Sequence, residues 1–247
     1  MDARAGCRHD PTLRPEGLRS CAWGPGDAQK RAVVIGDSVA ASWTSSVVAA
    51  LAPDDWRVEA LTFSGCPSID VEATPRGEAD FAPRCAASRD AMIQFALDRS
   101  PDLIVLSDAV NLVDVLDSGS SGPAATTEWA DGTLRTLERL ASTHARLVVL
   151  SNPPAGPSLA TCPTRFLEPA SCATTPDERY LIKRTAESRA VTAARRTDID
   201  AHFVDVEVWF CLDGTCPAFL GPHLVRADRT HLTDDLGRAL APSFAGD

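Results

Sequence analysis

The sequence contains no apolar run close to the roughly 20 residues that a membrane-spanning helix needs. It also lacks an excess of basic side chains, because 24 lysines and arginines stand against 34 aspartates and glutamates and leave a net charge of −10. This acidic balance argues against a surface that binds nucleic acid or anionic lipid. The first residues, MDARAGCRHDPTLRPEG, lack the apolar core of a signal peptide.

The length and composition indicate a folded globular protein. With 247 residues the chain can form one α/β domain of ordinary size or two small ones, and 44% hydrophobic residues supply a substantial core. Residues 1–30 are rich in proline and glycine and show no periodicity. We therefore predict an extended lead-in over residues 1–30, tied down by disulfide bonding, and a single domain over residues 31–247.

Five apolar segments alternate with helix-like segments from residue 31 onwards. The first, RAVVIG, is a short continuous run typical of a buried parallel strand. Strands alternating with helices predict a parallel sheet with helices on both faces, and the functional loops of such a sheet lie at the carboxyl ends of its strands. We predict strands at 31–36, 56–63, 101–107, 145–154 and 201–210, and helices at 39–51, 85–99, 127–143, 176–196 and 233–244.

The eight cysteines are even in number and fall in four sequential couples, from which we predict four disulfides between chain neighbours. The segment CLDGTC suits a hairpin closed by a disulfide, with Asp213-Gly214 as its turn. Zinc is the competing interpretation, but no C-x-x-C pair or histidine cluster accompanies these residues, so we predict no metal site. The cysteines are Cys7, Cys21, Cys66, Cys85, Cys162, Cys172, Cys211 and Cys216.

Disulfides on this scale indicate an oxidising compartment, outside the cell or on the periplasmic side of a membrane. Because no signal-peptide core precedes them, we expect the chain to be one soluble domain of a longer exported or membrane protein.

The segment VVIGDSVAASW, residues 33–43, places Ser38 just after the first predicted strand. Ser38 is either the N-cap of the following helix, where its hydroxyl satisfies a free amide, or a nucleophile on a strand-to-helix turn. The second interpretation requires a base, an orienting acid and an oxyanion site elsewhere in the chain. We expect the preceding Asp37 to hold the turn by hydrogen bonds rather than to act as the orienting acid.

His231 and Asp228, in RADRTHLTDDLGRAL, are the candidates for base and acid. Their three-residue spacing allows the carboxylate to accept a hydrogen bond from the imidazole Nδ1–H while Nε2 points elsewhere. Alone, such a pair is more often an exposed turn than a catalytic dyad. Together with G-D-S after the first strand, the order Ser, Asp, His favours a catalytic triad at the carboxyl edge of the sheet.

In combination these residues resemble the SGNH (GDSL-type) hydrolase superfamily. More narrowly, the chain resembles the SGNH domain attached to bacterial membrane acyltransferase-3 proteins, whose members modify surface glycans. The resemblance spans roughly residues 20–243 and rests on the segments CAWGPGDAQKRAVVIGDSVAASW, TFSGCPSI, PDLIVLS, CLDGTC and DRTHLT.

The resemblance implies a flavodoxin-like three-layer α/β/α sandwich with a central five-stranded parallel sheet and disulfide-stapled loops. It implies Ser38 as nucleophile, His231 as general base and Asp228 as orienting acid. The backbone N–H groups of Ser38 and Gly65 would form an oxyanion hole. The superfamily's third block, G-x-N-D, is missing after the third strand, where Asn111 in SDAVNLVD is the nearest candidate for a third donor.

The function implied is that of an extracytoplasmic O-acyltransferase domain that forms an acyl-serine. It would move a small acyl group such as acetyl onto a cell-envelope or secreted glycan. An upstream membrane domain would present the donor, and neither a metal, a diffusible cofactor nor nucleic acid would take part. Two alternatives stay open. One is a secreted carbohydrate esterase with the same triad, and the other is a catalytically silent SGNH-like module that binds glycan or protein partners.

Overall fold

The computed structural model describes residues 21–75, 80–156 and 169–244. Its centre is a six-stranded sheet with the spatial order β1-β3-β2-β4-β5-β6. Strands β2 to β6 run parallel to their neighbours, and β1 pairs antiparallel with β3. The strands are β1 (Cys21–Trp23), β2 (Lys30–Gly36), β3 (Trp56–Thr62), β4 (Leu103–Ser107), β5 (Arg146–Leu150) and β6 (Ala201–Val204).

The five parallel strands follow the order of flavodoxin-like sheets, in which the second strand lies beside the first at one edge. Ala32 and Val34 of β2 pack in the core that includes helix α1, whereas Val33 and Ile35 pack in the core that includes helix α2. The predicted three-layer sandwich is therefore confirmed. The helices are α1 (Ser38–Leu51), α2 (Phe81–Arg99), α3 (Gly122–Leu140), α4 (Glu178–Arg195), α5 (Glu207–Phe210), α6 (Asp234–Ala239) and α7 (Ala241–Phe244).

The sheet has one strand more than the five predicted. The additional strand, β1, lies inside the predicted lead-in and pairs with β3 in the register Cys21↔Ala60. A three-residue edge strand is too short to show a periodicity of two, so the sequence pattern gave no sign of it. The division of the chain at residue 30 stays a prediction.

The prediction of a strand over 201–210 is wrong in its second half. Strand β6 ends at Val204, and residues 207–210 form helix α5. Asp205 stops the strand, because its carboxylate accepts a hydrogen bond from the Glu207 N–H at 3.1 Å and pairs with Arg184 of α4. The aromatic residues of α5 then pack around Trp43, which is fully buried in the core.

Two of the predicted disulfides are confirmed, Cys66–Cys85 and Cys211–Cys216. Asp213 and Gly214 have φ angles of 50° and 73°, which are those of the tight turn predicted for CLDGTC. Cys21 and Cys172 are also disulfide-bonded. Their predicted partners, Cys7 and Cys162, lie outside the described residues.

Within the described parts of the chain, no helix combines the length and the apolar character that crossing a membrane requires. Strands β7 (Phe219–Leu220) and β8 (His223–Leu224) form a small antiparallel sheet of their own. They precede the segment 226–231, which leads into α6.

Candidate active site

The turn between β2 and α1 settles which residue caps the helix. Asp37 is the N-cap, because its Oδ1 accepts a hydrogen bond from the Val39 N–H at 2.8 Å. Gly36 precedes it with a φ of +147°, and a Cβ there would overlap the Ser107 carbonyl oxygen on the neighbouring strand. Ser38 is the first residue of α1 and is not needed as the cap, so its hydroxyl is free for another role.

Asp37 also joins this turn to the loop after β4. Its Oδ2 accepts a hydrogen bond from the Ala109 N–H at 2.9 Å, so the carboxylate holds the turn as predicted. Burial, followed by repulsion from Asp108, raises the pKa of Asp37 to about 7, against the opposing effects of its two backbone donors and of Lys183.

His231 and Asp228 form the predicted pair. The imidazole Nδ1 lies 2.6 Å from Asp228 Oδ2, and Asp228 Oδ1 accepts hydrogen bonds from the backbone N–H groups of Thr230 and His231 at 2.8 and 2.9 Å. Partial burial alone raises the pKa of Asp228, but these N–H donors and the imidazole outweigh it and lower the pKa to about 2. The charged carboxylate therefore fixes the orientation of the ring.

The second ring nitrogen of His231, Nε2, is buried and has no hydrogen-bond partner among the residues that the structure describes. Since Asp228 holds Nδ1, Nε2 is the atom available to a hydroxyl in the cavity that His231 lines together with Ser38. Hydrogen bonds between a nucleophile and its base are often long before substrate binds, so the absence of a direct bond agrees with a base waiting for substrate.

A cavity of about 380 Å³ brings the candidate residues together at the carboxyl edge of the sheet, beyond the ends of the neighbouring strands β2 and β4. Ser38, Gly65, Asn111 and His231 all line it, and Asp228 stands behind His231. A site at the point where the strand order reverses is typical of open α/β sheets. The catalytic roles of these residues stay predictions. The cavity is also lined by Asp37, Ser64, Pro75, Phe81, Ala109, Leu112, Val115 and Thr230.

Gly65 lies in a turn that its neighbours hold firmly. The Cys66 N–H donates to the Phe63 carbonyl at 3.1 Å, Gly65 has a φ of +68°, and the Cys66–Cys85 disulfide fastens the turn to α2. Within the described residues the Gly65 N–H makes no hydrogen bond. Ser38 offers a second such donor, because N–H groups in the first turn of a helix have no acceptor within the helix.

Asn111 reaches the cavity although the G-x-N-D block is missing. It lies on a short 3₁₀ helix, Val110–Asp114, that follows β4, and its side chain is exposed on the cavity wall. Asn111 thus lines the same cavity as Ser38 from a sequence position that the family motif does not use. Sequence reasoning missed the apolar lining residues Pro75, Phe81, Leu112 and Val115, which no local motif marks.

A second pair of the same type lies outside this cavity. His223 Nδ1 is 2.6 Å from Asp235 Oδ2, the distance seen between His231 and Asp228, but neither residue lines the cavity. Within the residues that the structure describes, no group of three or more His, Cys, Asp or Glu side chains is arranged to hold a metal ion.

Comparison with known proteins gives two findings. The model of the family described as "SGNH domain (fused to AT3 domains)" matches residues 6–246. A solved structure, the periplasmic domain of a lipopolysaccharide acetyltransferase from Salmonella serovar Paratyphi A, superposes with a TM-score of 0.61 over 88% of this chain and 82% of its own. At 14% identity this likeness shows the fold. A comparison with curated protein sequences gave no significant match.

Proposed function

Because the chain belongs to the family of SGNH domains fused to AT3 domains, we propose that it transfers a small acyl group through an acyl-serine intermediate on Ser38. The observation that carries this proposal is the cavity that Ser38, Gly65, Asn111 and His231 share, with His231 fixed by Asp228. These are the groups that acyl transfer requires: a nucleophile, an oriented base and donors for the oxyanion.

In the first half of the reaction the Ser38 hydroxyl oxygen bonds to the acyl carbon of the donor, and its proton passes to His231 Nε2. The negative charge that develops on the acyl oxygen is met by the N–H groups of Ser38 and Gly65 and by the Asn111 amide. When the bond to the leaving group breaks, His231 returns the proton to that group. The acyl-serine then remains in the cavity.

In the second half a sugar hydroxyl takes the place of the leaving group. His231 removes its proton, the oxygen bonds to the acyl carbon, and the same donors stabilise the second oxyanion. Collapse of this intermediate releases the acylated sugar and returns the proton to Ser38. A cavity of about 380 Å³ lies in the size range of small-molecule sites, which suits an acyl group together with part of a sugar.

The location and the partners are part of the same proposal. Disulfides such as Cys66–Cys85 and Cys211–Cys216 persist in oxidising compartments, which supports a position outside the cytoplasm. Fusion to AT3 domains supports a membrane domain as the source of the acyl group. The structural likeness to a lipopolysaccharide acetyltransferase supports acetyl as the acyl group and a cell-envelope glycan as the acceptor.

Hydrolysis of the acyl-serine is the second candidate activity, and the partial exposure of the site to water favours it. Ser38 and His231 are only half-buried, so water reaches the acyl carbon whenever no acceptor occupies the cavity. Transfer and hydrolysis then differ only in which hydroxyl attacks the acyl-serine.

The test is to supply the purified domain with 4-nitrophenyl acetate, with and without envelope oligosaccharides, and to weigh the products by mass spectrometry. We expect nitrophenol release in both mixtures and an acetylated oligosaccharide in the second. Acetate as the only product would assign an esterase. No turnover by the wild type with either acceptor would contradict the proposal and favour a silent binding module.

The Asn111 side chain provides a prediction specific to the third oxyanion donor. We expect Asn111→Ala to lower kcat by about 100-fold with little change in KM, because the amide acts on charge that exists only in the transition state. Asp114→Ala on the same 3₁₀ helix is the matched control, since Asp114 pairs with Arg179 and does not line the cavity. A loss within threefold for Asn111→Ala would mean that the site works without this donor.

A further inference from the structure

One wall of the active-site cavity is apolar. Its side chains come from the segments that follow β3 and β4, and they are Pro75, Phe81, Leu112 and Val115. The Thr74 N–H donates a hydrogen bond to the Val115 carbonyl at 3.1 Å, so the two segments lie side by side and form one wall. None of these side chains can move a proton or stabilise an oxyanion, and the proposed mechanism gives them no role.

The tetrahedral intermediate of the proposed reaction has one substituent that no polar group contacts. The acyl carbon carries the Ser38 oxygen, the oxyanion, the leaving group and the acyl chain. The oxyanion faces the N–H donors, and the leaving group lies beside His231 Nε2, from which it takes a proton. The acyl chain is apolar, and its burial against apolar side chains is favourable. The apolar wall is the part of the cavity that suits it.

The space along this wall is narrow beside Gly65. A Cβ placed on Gly65 would lie 3.4 Å from Pro75 Cγ and 3.6 Å from Phe81 Cζ, which are van der Waals contact distances between carbon atoms. The gap between Gly65 and the two rings therefore holds a single carbon atom. Because the Gly65 N–H is an expected oxyanion donor, the acyl carbon has to lie close to this gap.

The Phe81 ring is fixed in its position. Phe81 begins α2, and Cys85, one helical turn later, is disulfide-bonded to Cys66, the residue that follows Gly65. The ring is 3% exposed and packs against the fully buried Phe63, with the ring centroids 6.1 Å apart. The disulfide and the second ring leave Phe81 little freedom to move aside for a longer chain.

We propose that Phe81 and Pro75 determine the acyl specificity of the site, because they close the apolar side of the cavity beside Gly65 and favour acetyl over longer acyl groups. The inference deepens the proposed function and rests on it. The two side chains contact the acyl chain and make or break no bond, so they select the substrate without taking part in the chemistry.

The experiment compares kcat/KM for 4-nitrophenyl acetate and 4-nitrophenyl butyrate in the wild type and in Phe81→Ala. One methylene group in an apolar pocket changes kcat/KM by roughly 10- to 200-fold, so we expect the wild type to prefer acetate by about 100-fold or more. Phe81→Ala should reduce this preference to about tenfold or less, mainly through faster turnover of butyrate. The ratio of the two values does not depend on the fraction of protein that is active.

Phe95→Ala is the matched control. Phe95 is a half-buried residue of the same helix that packs under the Arg99 guanidinium, 4.3 Å from its ring centre, and does not line the cavity. It should keep the acetate-to-butyrate ratio within about twofold of the wild type. If Phe81→Ala does not fold, the half-buried Pro75→Ala takes its place, because it removes the Cγ atom that faces Gly65, and it should lower the ratio about tenfold.

Binding of the free acids gives a second measurement that needs no turnover. Acetate and butyrate are the acids that hydrolysis of the two esters releases, and the amide resonance of Gly65 reports their binding. We expect acetate to shift this resonance in the wild type and in Phe81→Ala, and butyrate to shift it only in Phe81→Ala.

A wild type that turns over butyrate as well as acetate would overturn the inference. An acetate-to-butyrate ratio that stays the same in Phe81→Ala, or that changes equally in Phe95→Ala, would overturn it as well. The expected pattern of acid binding in a protein that turns over neither ester would support the size limit at Phe81 and remove the proposed function.

Discussion

Replacing Ser38 by alanine is expected to lower acyl-ester turnover at least about 1,000-fold while leaving the fold intact, since the nucleophile of a triad supplies most of its chemistry. The structure makes this a clean substitution. Asp37 caps α1 and Ser38 is not required for that purpose, so the helix keeps its N-terminal hydrogen bond when the Ser38 hydroxyl is removed. Steady-state hydrolysis of 4-nitrophenyl acetate measures the loss, and thermal unfolding checks the fold.

Ser45→Ala is the control for this result. Ser45 lies on the same helix, and its hydroxyl bonds back to the Ser42 carbonyl at 3.4 Å, away from the cavity. We expect Ser45→Ala to retain turnover within about twofold. A Ser38→Ala variant that retains a tenth or more of the wild-type rate would rule out Ser38 as the nucleophile.

The second large effect is expected at the orienting acid. We expect Asp228→Asn to lower kcat by about 100- to 10,000-fold, because the amide no longer stabilises a charged imidazole or selects the tautomer that leaves Nε2 unprotonated. The shape of the 228–231 turn should survive, since Asn retains an oxygen that accepts from the Thr230 and His231 N–H groups.

Asp235→Asn is a close control for Asp228→Asn, because it removes the same charge from a second His–Asp pair of equal length outside the cavity. It should leave kcat unchanged. Similar losses in both variants would indicate a general effect of charge on the fold and contradict the assignment of Asp228.

The pH dependence of the free energy of unfolding also reports on the Asp228 carboxylate. Its pKa is lowered in the folded protein from 3.8 to about 2, so Asp228 contributes stability above pH 3.8 that is lost as the pH falls toward 2. Asn does not titrate, and the free energy of unfolding of Asp228→Asn should lack this component below pH 4.

The layer architecture could be predicted from the sequence because strands β2, β4 and β5 are built on continuous apolar runs that alternate with helices. The end of β6 could not be predicted, because the segment AHFVDVEVWF alternates as a strand does. In the structure, contacts of Asp205 with Glu207 and Arg184 end the strand, and the chain continues into α5. Alternation describes local preference, and those tertiary contacts override it.

The candidate site could be predicted from the sequence where its residues are close together in the chain, as Asp228 and His231 are. The sequence could not show whether Ser38 caps its helix, because Asp37 and Ser38 are both suitable N-cap residues and only the backbone geometry distinguishes them. The buried Asp108 and Ser68, whose side chains are joined by a hydrogen bond of 2.9 Å, are 40 positions apart and share no sequence pattern, so their contact could not be predicted from the sequence.

The central claim is that an acyl group passes through Ser38, and the most direct test is to observe it there. The protein should be mixed with 4-nitrophenyl acetate, quenched in acid within the first turnover and digested, and the peptide that contains Ser38 should be sequenced by mass spectrometry. The account predicts one acetyl group on Ser38 that is chased off by an oligosaccharide acceptor. Turnover with no acetyl group on Ser38, or with the acetyl group on another residue, would contradict it.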